Sequence, residues 1–313
     1  MNNTFFNEKI KVYDLINDEY KSLLWGLRFA RVEDTWTKIS EKELSKIKIA
    51  LIDSGIDNEH EDLQGSICTG YNFIDNSFDT QDNFGHGTRI AGIIAAQKNN
   101  NIGVAGIASG VQIVPLKVMD SKGRASIKNV IRAIEWCVNN NIDIINLSIG
   151  YHKSIEDLVT NNNVEYYERE KAVIEKALES GISIVSSVGN NTNGPMNYPA
   201  CLNGVISVAS YGVHSDTLEI FSAPKNNRCS CKTIYAPGEY IFTTDIGNRY
   251  TYEFGSSIAC AFVTGAVALI KSVNRKLSPI EIQKTLLNTS TNISSKNMRL
   301  LNVDYAFHEV EKL

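Results

Sequence analysis

The sequence predicts an α/β fold: a three-layer, doubly wound, mainly parallel sheet with helices on both faces. Two observations carry this. Short, continuously apolar, β-branched runs alternate with longer segments of helical period. Parallel strands need long crossover connections, and helices of that length supply them over both faces of a sheet.

The first strand is "IKIALID" (47–53), which stops at Asp-Ser-Gly. "VQIVPLKVM" (111–119) is another. "SIKNVIRAIEWCVNN" (126–140) has apolar residues at Ile127, Val130, Ile131, Ile134 and Val138, which is helical spacing. The strand "IDIINLSIG" (142–150) follows, then the helical "VEYYEREKAVIEKALES" (164–180), stopped by Gly181. "ISIVSSVG" (182–189) and "VISVAS" (205–210) are further buried strands. "YTYEFGSSIACAFVTGAVALIKSV" (250–273) contains a buried helix that opens on two serines. "LSPIEIQKTLL" (277–287) carries Ser278 as N-cap, Pro279 at the first helical position and Glu281 to complete a capping box. No repeat or linker divides the chain. The division predicted is an extension, residues 1–22, in front of one catalytic domain, residues 23–313.

The chain has 313 residues, 43% hydrophobic and 21% charged, with a net charge of −4. That composition is ordinary for a globular protein and gives no basic stripe for nucleic acid. The N-terminus has no apolar core of a secretory signal, and no window reads as a membrane span. The expectation is a cytoplasmic protein. The six cysteines, Cys68, Cys137, Cys201, Cys229, Cys231 and Cys260, are then expected as free thiols. The "CSC" at 229–231 has the wrong spacing for a zinc knuckle.

Reactive groups gather where parallel strands end at their carboxyl edge. Asp53 closes the first strand, Ser148 and Gly150 close "IINLSIG", and Asn190 follows "ISIVSSVG". His86 stands in "DNFGHGTRIAGIIAA" between Gly85 and Gly87, at a helix start. The other histidines, His60, His152, His214 and His308, lie in polar, loop-like surroundings. Taken singly, each signal has an ordinary structural explanation: an Asp before Gly is a turn residue, and a Ser at a helix start is an N-cap. Their combination and order carry the weight.

Three blocks stand in order: Asp53-Ser54-Gly55, His86-Gly87-Thr88-Arg89-Ile90-Ala91-Gly92 and Gly255-Ser256-Ser257-Ile258-Ala259. Together they resemble the D-[ST]-G, H-G-T-x-x-A-G and G-T-S-[MI]-A blocks of subtilisin-like serine proteases, the subtilase family. The resemblance implies a serine endopeptidase. Ser257 would be the nucleophile, and Ser256 takes the place of the usual Thr. His86 would be the general base, Asp53 would orient it, and Asn190 would donate to the oxyanion.

The resemblance further implies a peptide or protein substrate bound as an extended strand between Lys122-Gly123-Arg124 and Ser148-Ile149-Gly150. The pocket for the residue before the cut (P1) would be floored near Asn197, ahead of a Tyr198-Pro199 bond that is cis in relatives. No acidic residue stands at that floor, so a neutral or polar P1 is expected. No organic cofactor is implied. Calcium is implied, held by Asp62 of "EHEDLQG", Asn100 of "KNNNIGV" and the carbonyls of Lys98, Ile102 and Val104.

The chain departs from the family pattern in places. Arg89 stands where many relatives have a second His, and Ala261 and Phe262 stand where Pro and His are common. The extension, with its β-prone "IKVYDLI" (10–16), resembles the short extensions of intracellular relatives that cover the cleft until cut; a disordered tail is the other reading of it. Two roles fit such a protease: general intracellular proteolysis, and removal of leaders from lantibiotic (lanthipeptide) precursors. A catalytically silent module of the same fold is a reading of another class. So is a nucleotide-binding domain, against which "IALIDSGID" lacks the phosphate-cradling glycines.

Overall fold

A computed structural model describes residues 15–150 and 164–312. Three short helices come first: α1 (Trp25–Phe29), α2 (Glu33–Trp36) and α3 (Glu41–Leu44). Then follow β1 (Lys48–Asp53), β2 (Tyr71–Asn72), α4 (His86–Ala95), β3 (Gln112–Lys117), α5 (Ile127–Asn139) and β4 (Ile144–Leu147). Next come α6 (Val164–Glu179), β5 (Ser183–Ser187), β6 (Ile206–Val213), β7 (Ile220–Ser222) and β8 (Ile234–Pro237). The hairpin β9 (Ile241–Asp245) and β10 (Arg249–Glu253) leads into α7 (Ser256–Val273). The chain closes with α8 (Pro279–Thr289), β11 (Thr291–Ile293), β12 (Met298–Leu300) and α9 (Val303–Glu311).

One sheet organises the body, in the order β11-β12-β8-β6-β5-β4-β1-β3-β2. It is parallel from β12 to β2; β11 pairs with β12 and β7 with β6 antiparallel. Alternate side chains of each strand enter different cores, as the two-residue period requires. Ile49 and Leu51 of β1 pack with α4 and α7 on one face. Ala50 and Ile52 pack with α5 and α6 on the other. This is the three-layer arrangement expected.

The strand order changes direction at β1, which lies between β3 and β4. The carboxyl edge at such a point is where open α/β sheets place their ligands. Asp53 is the last residue of β1.

Helix α7 is the one helix among the described residues long and apolar enough to cross a bilayer, contrary to the expectation that no such window exists. It is 83% buried within the protein, so its apolarity serves the core. The capping box of α8 forms as expected, with Ser278 Oγ accepting from the Glu281 N–H and the Glu281 side chain accepting from the Ser278 N–H.

Of the extension, residues 15–22 are described. Ile16 is buried in the α4/α7 core, and Tyr20 packs edge-on against Phe242 and Tyr250 of the β9–β10 hairpin. The rest of the extension, including most of "IKVYDLI", lies outside the described residues.

Candidate active site

Asp53 is fully buried at the end of β1. Its Oδ1 accepts from the Ser54 N–H at 2.8 Å. His86 Nδ1 faces Oδ1 and Oδ2 at 2.8 and 2.9 Å. A proton on Nδ1 donated to this carboxylate leaves Nε2 as the basic nitrogen.

The helix that carries His86 is held at its first turn. Asp82 Oδ1 accepts from the Phe84 and Gly85 N–H groups, at 2.9 and 2.8 Å. Its Oδ2 accepts from the Thr88 N–H at 3.0 Å and the Thr88 hydroxyl at 2.7 Å. Ser54 Oγ accepts from the Gly87 N–H at 2.9 Å. These bonds satisfy donors that a helix start leaves open and fix the imidazole against Asp53.

Burial of the ring on its own would lower the His86 pKa. The Asp53 carboxylate, with smaller contributions from Glu253 and Asp82, outweighs that, and the net shift is upward.

Ser257 is the second residue of α7, partly exposed, and α7 packs against α4. Beneath its first turns lies a buried polar chain. Thr264 and Cys260 donate to Asn146 Oδ1 at 2.8 and 3.4 Å. Asn146 Nδ2 donates to Ser148 Oγ at 3.1 Å, and that hydroxyl donates to the Ser257 carbonyl at 3.4 Å. The Ser257 hydroxyl and N–H make no hydrogen bond among the described residues. The Asp53–His86 link is thus formed and the His86–Ser257 link is open. Such catalytic bonds commonly tighten only when substrate is bound.

Asn190 is oriented by the residue before Ser257. Its Oδ1 accepts from the Ser256 N–H at 2.9 Å and from the Ser256 hydroxyl at 3.0 Å. Ser256 Oγ in turn accepts from the Gly189 N–H at 3.2 Å. With its oxygen so engaged, the amide turns Nδ2 toward Gly255, 3.0 Å from where a Cβ would stand there, and Nδ2 donates to none of the described residues.

Residues 45–305 match the subtilase family. The chain belongs to that family. Its members are serine endopeptidases, hydrolases of peptide bonds. This subtilase is 35% identical over 247 residues to a thermophilic serine proteinase from Bacillus sp. (strain AK1), covering 79% of its own length but only 57% of that protein's. It is 32% identical to subtilisin Savinase from Lederbergia lenta, over 89% of this chain and 95% of that one. It is 31% identical to the major intracellular serine protease of Bacillus subtilis (strain 168), over 84% and 81%. Among solved structures, fervidolysin from Fervidobacterium pennivorans, a keratinolytic enzyme related to subtilisin, superposes with a TM-score of 0.80 at 27% identity, over 93% of this chain and 46% of that one.

The two backbone edges of this subtilase differ. Ile149 and Gly150 follow β4 beyond its last ladder pair, Leu147 with Ser186. The segment at 122–124 is a turn closed on Asp120. The N–H groups of Lys122 and Arg124 donate to Asp120 Oδ1 at 2.9 and 3.0 Å, and that of Gly123 donates to the Asp120 carbonyl at 3.0 Å. The Arg124 carbonyl accepts from the Asp120 N–H. Among the described residues, the carbonyls of Lys122 and Gly123 accept no backbone hydrogen bond.

Asn197 is buried where the pocket floor was expected. Its Oδ1 accepts from Asn227 Nδ2 at 3.1 Å, and its N–H donates to the Val188 carbonyl at 2.9 Å. The Tyr198–Pro199 bond that follows is cis.

At the calcium site implied by the sequence, Asp62 is fully buried. Its Oδ1 accepts from Asn100 Nδ2 at 2.8 Å, and its Oδ2 from the Val104 N–H at 2.7 Å. Burial pushes its pKa up to about 6, and the Asp18 carboxylate adds to the rise. Asp18, also buried, takes the Asn99 N–H on both oxygens. Among the described residues, the carbonyls of Lys98, Ile102 and Val104 accept no hydrogen bond. Two desolvated carboxylates beside three free carbonyls form a hard-oxygen set that fits calcium. Among the described residues no group of three or more His, Cys, Asp or Glu side chains could hold a metal, so this site would rest largely on backbone oxygens.

Sequence reasoning missed Asp82, Asn146 and Asp18. Asn146 left a signal, as the one polar residue inside the buried "IINL".

Proposed function

We propose that this chain is a cytoplasmic serine endopeptidase that works through an acyl-enzyme, with Ser257, His86 and Asp53 as its triad. The observation that carries this is the bonded Asp53–His86 pair together with an Asn190 amide locked by Ser256 beside Ser257. Ser257 Oγ attacks the peptide carbonyl carbon while its proton passes to His86 Nε2. The carbonyl oxygen becomes an oxyanion and takes hydrogen bonds from Asn190 Nδ2 and the Ser257 N–H. Collapse breaks the C–N bond, and the leaving amine takes the proton from His86. Water, deprotonated by the same nitrogen, then frees the acyl group and returns the proton to Ser257. Substrate lies extended along Ser148–Gly150 and the Lys122–Gly123 carbonyls, with P1 directed toward Asn197.

Likeness to an intracellular protease supports the cytoplasmic assignment and general intracellular proteolysis. The narrower role is removal of a leader from a lanthipeptide precursor. Calcium would be held by Asp62, Asn100 and the carbonyls of Lys98, Ile102 and Val104, with Asp18 added to that set; Asn100 Oδ1 now accepts from the Ile102 N–H at 3.0 Å. Bound there, it would neutralise the two buried carboxylates and stiffen the loop.

The test is labelling by a fluorophosphonate probe, with mass spectrometry of peptides cut from an unfolded protein. Labelling and cleavage are expected in the wild type and lost in Ser257→Ala. Labelling that persists in Ser257→Ala, or a wild type that cuts no peptide, overturns the proposal. A single cut at the leader junction of a lanthipeptide precursor, with little cleavage elsewhere, supports the narrower role; scattered cuts support the general one.

A further inference from the structure

Helix α4 brings His86 to the site, and the β9–β10 hairpin runs directly into Gly255 and Ser257. The two elements are sewn together along one seam. Thr244 Oγ1 donates to the Thr88 carbonyl at 2.7 Å, and Thr243 Oγ1 donates to the Arg89 carbonyl at 2.9 Å. Gly92 permits this approach, since a Cβ there would stand 2.1 Å from Thr244 Oγ1. Arg89, one turn after His86, closes the seam. Its Nε donates to Asp245 Oδ1 at 3.0 Å and its Nη1 to Glu253 Oε2 at 2.8 Å. The other Glu253 oxygen accepts from the Phe254 N–H at 3.0 Å. A continuous path therefore joins the helix of the base to the loop of the nucleophile: Arg89, Glu253, Phe254, Gly255, Ser256, Ser257.

Arg249, 4.0 Å from Asp245 Oδ2, is 68% exposed, while Arg89, Asp245 and Glu253 are largely covered, at 24%, 13% and 20% exposed. Ion pairs at that depth are less screened than surface ones. Glu253 also lies close enough for its charge to act on the imidazole. The charged groups around His86 and its helix start are Asp53 from β1, Asp82 ahead of α4, Arg89 on α4, and Glu253, Asp245 and Arg249 from the hairpin. Lys117 of β3, paired with Asp53 in the ladder, is engaged with the Gln81 carbonyl and Asn83.

We propose that Arg89 is a positioning residue: through Asp245 and Glu253 it fixes the His86 helix against the hairpin that delivers Ser257, and its guanidinium balances the Glu253 carboxylate. The inference rests on the triad reading of the site. Arg89 touches neither the reacting atoms nor the triad; it acts through Glu253 and the hairpin.

The two halves of the pair predict opposite effects, which a merely structural role would not produce. Removing the cation leaves Glu253 uncompensated and favours the imidazolium. Removing the carboxylate charge disfavours it.

The experiment is kcat and KM against pH, with one chromogenic peptide, for wild type, Arg89→Gln, Arg89→Lys, Glu253→Gln and the double variant. Fluorophosphonate titration counts active sites, and a thermal melt checks folding. In Arg89→Gln the acid limb should move up by roughly half a pH unit. Its kcat should fall about tenfold, with KM changed little. Arg89→Lys should recover part of both. In Glu253→Gln, which keeps an acceptor for the Phe254 N–H, the acid limb should move down. The double variant should return it toward the wild type.

Limbs that stay put, or that move the same way in both single variants, overturn the inference. If Arg89→Gln fails to fold, the Glu253→Gln limb decides alone. A wild type with no acid limb and no labelling means that the triad reading has failed; a normal wild type with unmoved variants means that only the role of Arg89 has.

Discussion

Ser256 gives both its hydroxyl and its backbone N–H to one atom, Asn190 Oδ1, at 3.0 and 2.9 Å. The bonds fix which end of the amide faces the nucleophile. An amide free to turn would present its oxygen to the developing oxyanion part of the time, and that contact is repulsive. Removing the donor altogether, Asn190→Ala, should lower kcat by about 10²–10³, a magnitude taken over from a subtilisin, a relative of this chain. Ser256→Ala keeps the donor and one of the two bonds, so a smaller loss is expected, about tenfold in kcat with KM nearly unchanged. Ser256→Thr keeps the hydroxyl and should stay close to wild type. Steady-state kinetics on a single peptide separates the three. Equal losses in Ser256→Ala and Asn190→Ala would mean that Ser256 does more than orient the amide.

The pH dependence follows from His86. The imidazole must be neutral to take the Ser257 proton, and its pKa is raised above the ordinary 6.5. Activity should therefore be lost as pH falls through a value above 6.5, and be fully present only on the alkaline side. The acid limb of kcat/KM reports this group in the free protein. A limb below 6.5 would show that burial, rather than the Asp53 carboxylate, dominates the ring.

The parts of this site that sit in local signals were legible in the sequence. Asp53, His86 and Ser257 fall in short blocks, and the strands around them are buried, apolar and β-branched. What escaped notice depends on contacts between distant segments. The Ser256–Asn190 bond spans 66 residues, and Asp18 reaches Asn99 across 81. The β9–β10 hairpin also went unread. Its strand β10 is half-exposed, and the seam of β9 with α4 runs through the buried hydroxyls of Thr243 and Thr244. His60, read from its neighbours as a loop residue, is fully buried, with Nε2 3.0 Å from the Arg249 carbonyl and Nδ1 accepting from the Asp62 N–H. His308, read the same way, lies on α9 between Asp304 and Glu311. His152 lies outside the described residues. Asp82 was missed because it caps α4 from beyond its first turn, with Gly85 intervening.

Calcium removal should act on stability before activity. Asp62 and Asp18 are buried, and the Asp18 carboxylate raises the cost of ionising Asp62, so loss of a cation from the loop at 98–104 would leave Lys98 as the counter-charge acting on Asp18. A ligand that binds only the folded state stabilises it in proportion to the logarithm of its concentration. A chelator should lower the Tm by several degrees, and added calcium should restore it. Asp62→Asn should abolish this dependence while leaving fluorophosphonate labelling at low temperature. A Tm indifferent to both chelator and calcium would remove the metal from the account of this loop.

Selectivity at P1 should follow from the wall opposite Asn197. Gly150 stands at the end of the strand edge, and a Cβ there would lie 2.5 Å from Asn197 Nδ2. Its φ is not among the positive ones, so alanine brings crowding without backbone strain. Asn197 is itself held by Asn227 and cannot easily withdraw. Gly150→Ala should thus narrow the pocket and shift cleavage toward small P1 residues. The loss for bulky P1 should be about 10–100-fold in kcat/KM, the scale of one methyl or methylene group in a fitted pocket. With the neutral amide of Asn197 at the floor, wild type and variant alike should disfavour Lys and Arg. Cleavage of a peptide library, read by mass spectrometry, checks both points. A profile dominated by basic P1 would place the pocket elsewhere, and one unchanged by Gly150→Ala would show that the substrate side chain does not pass this glycine.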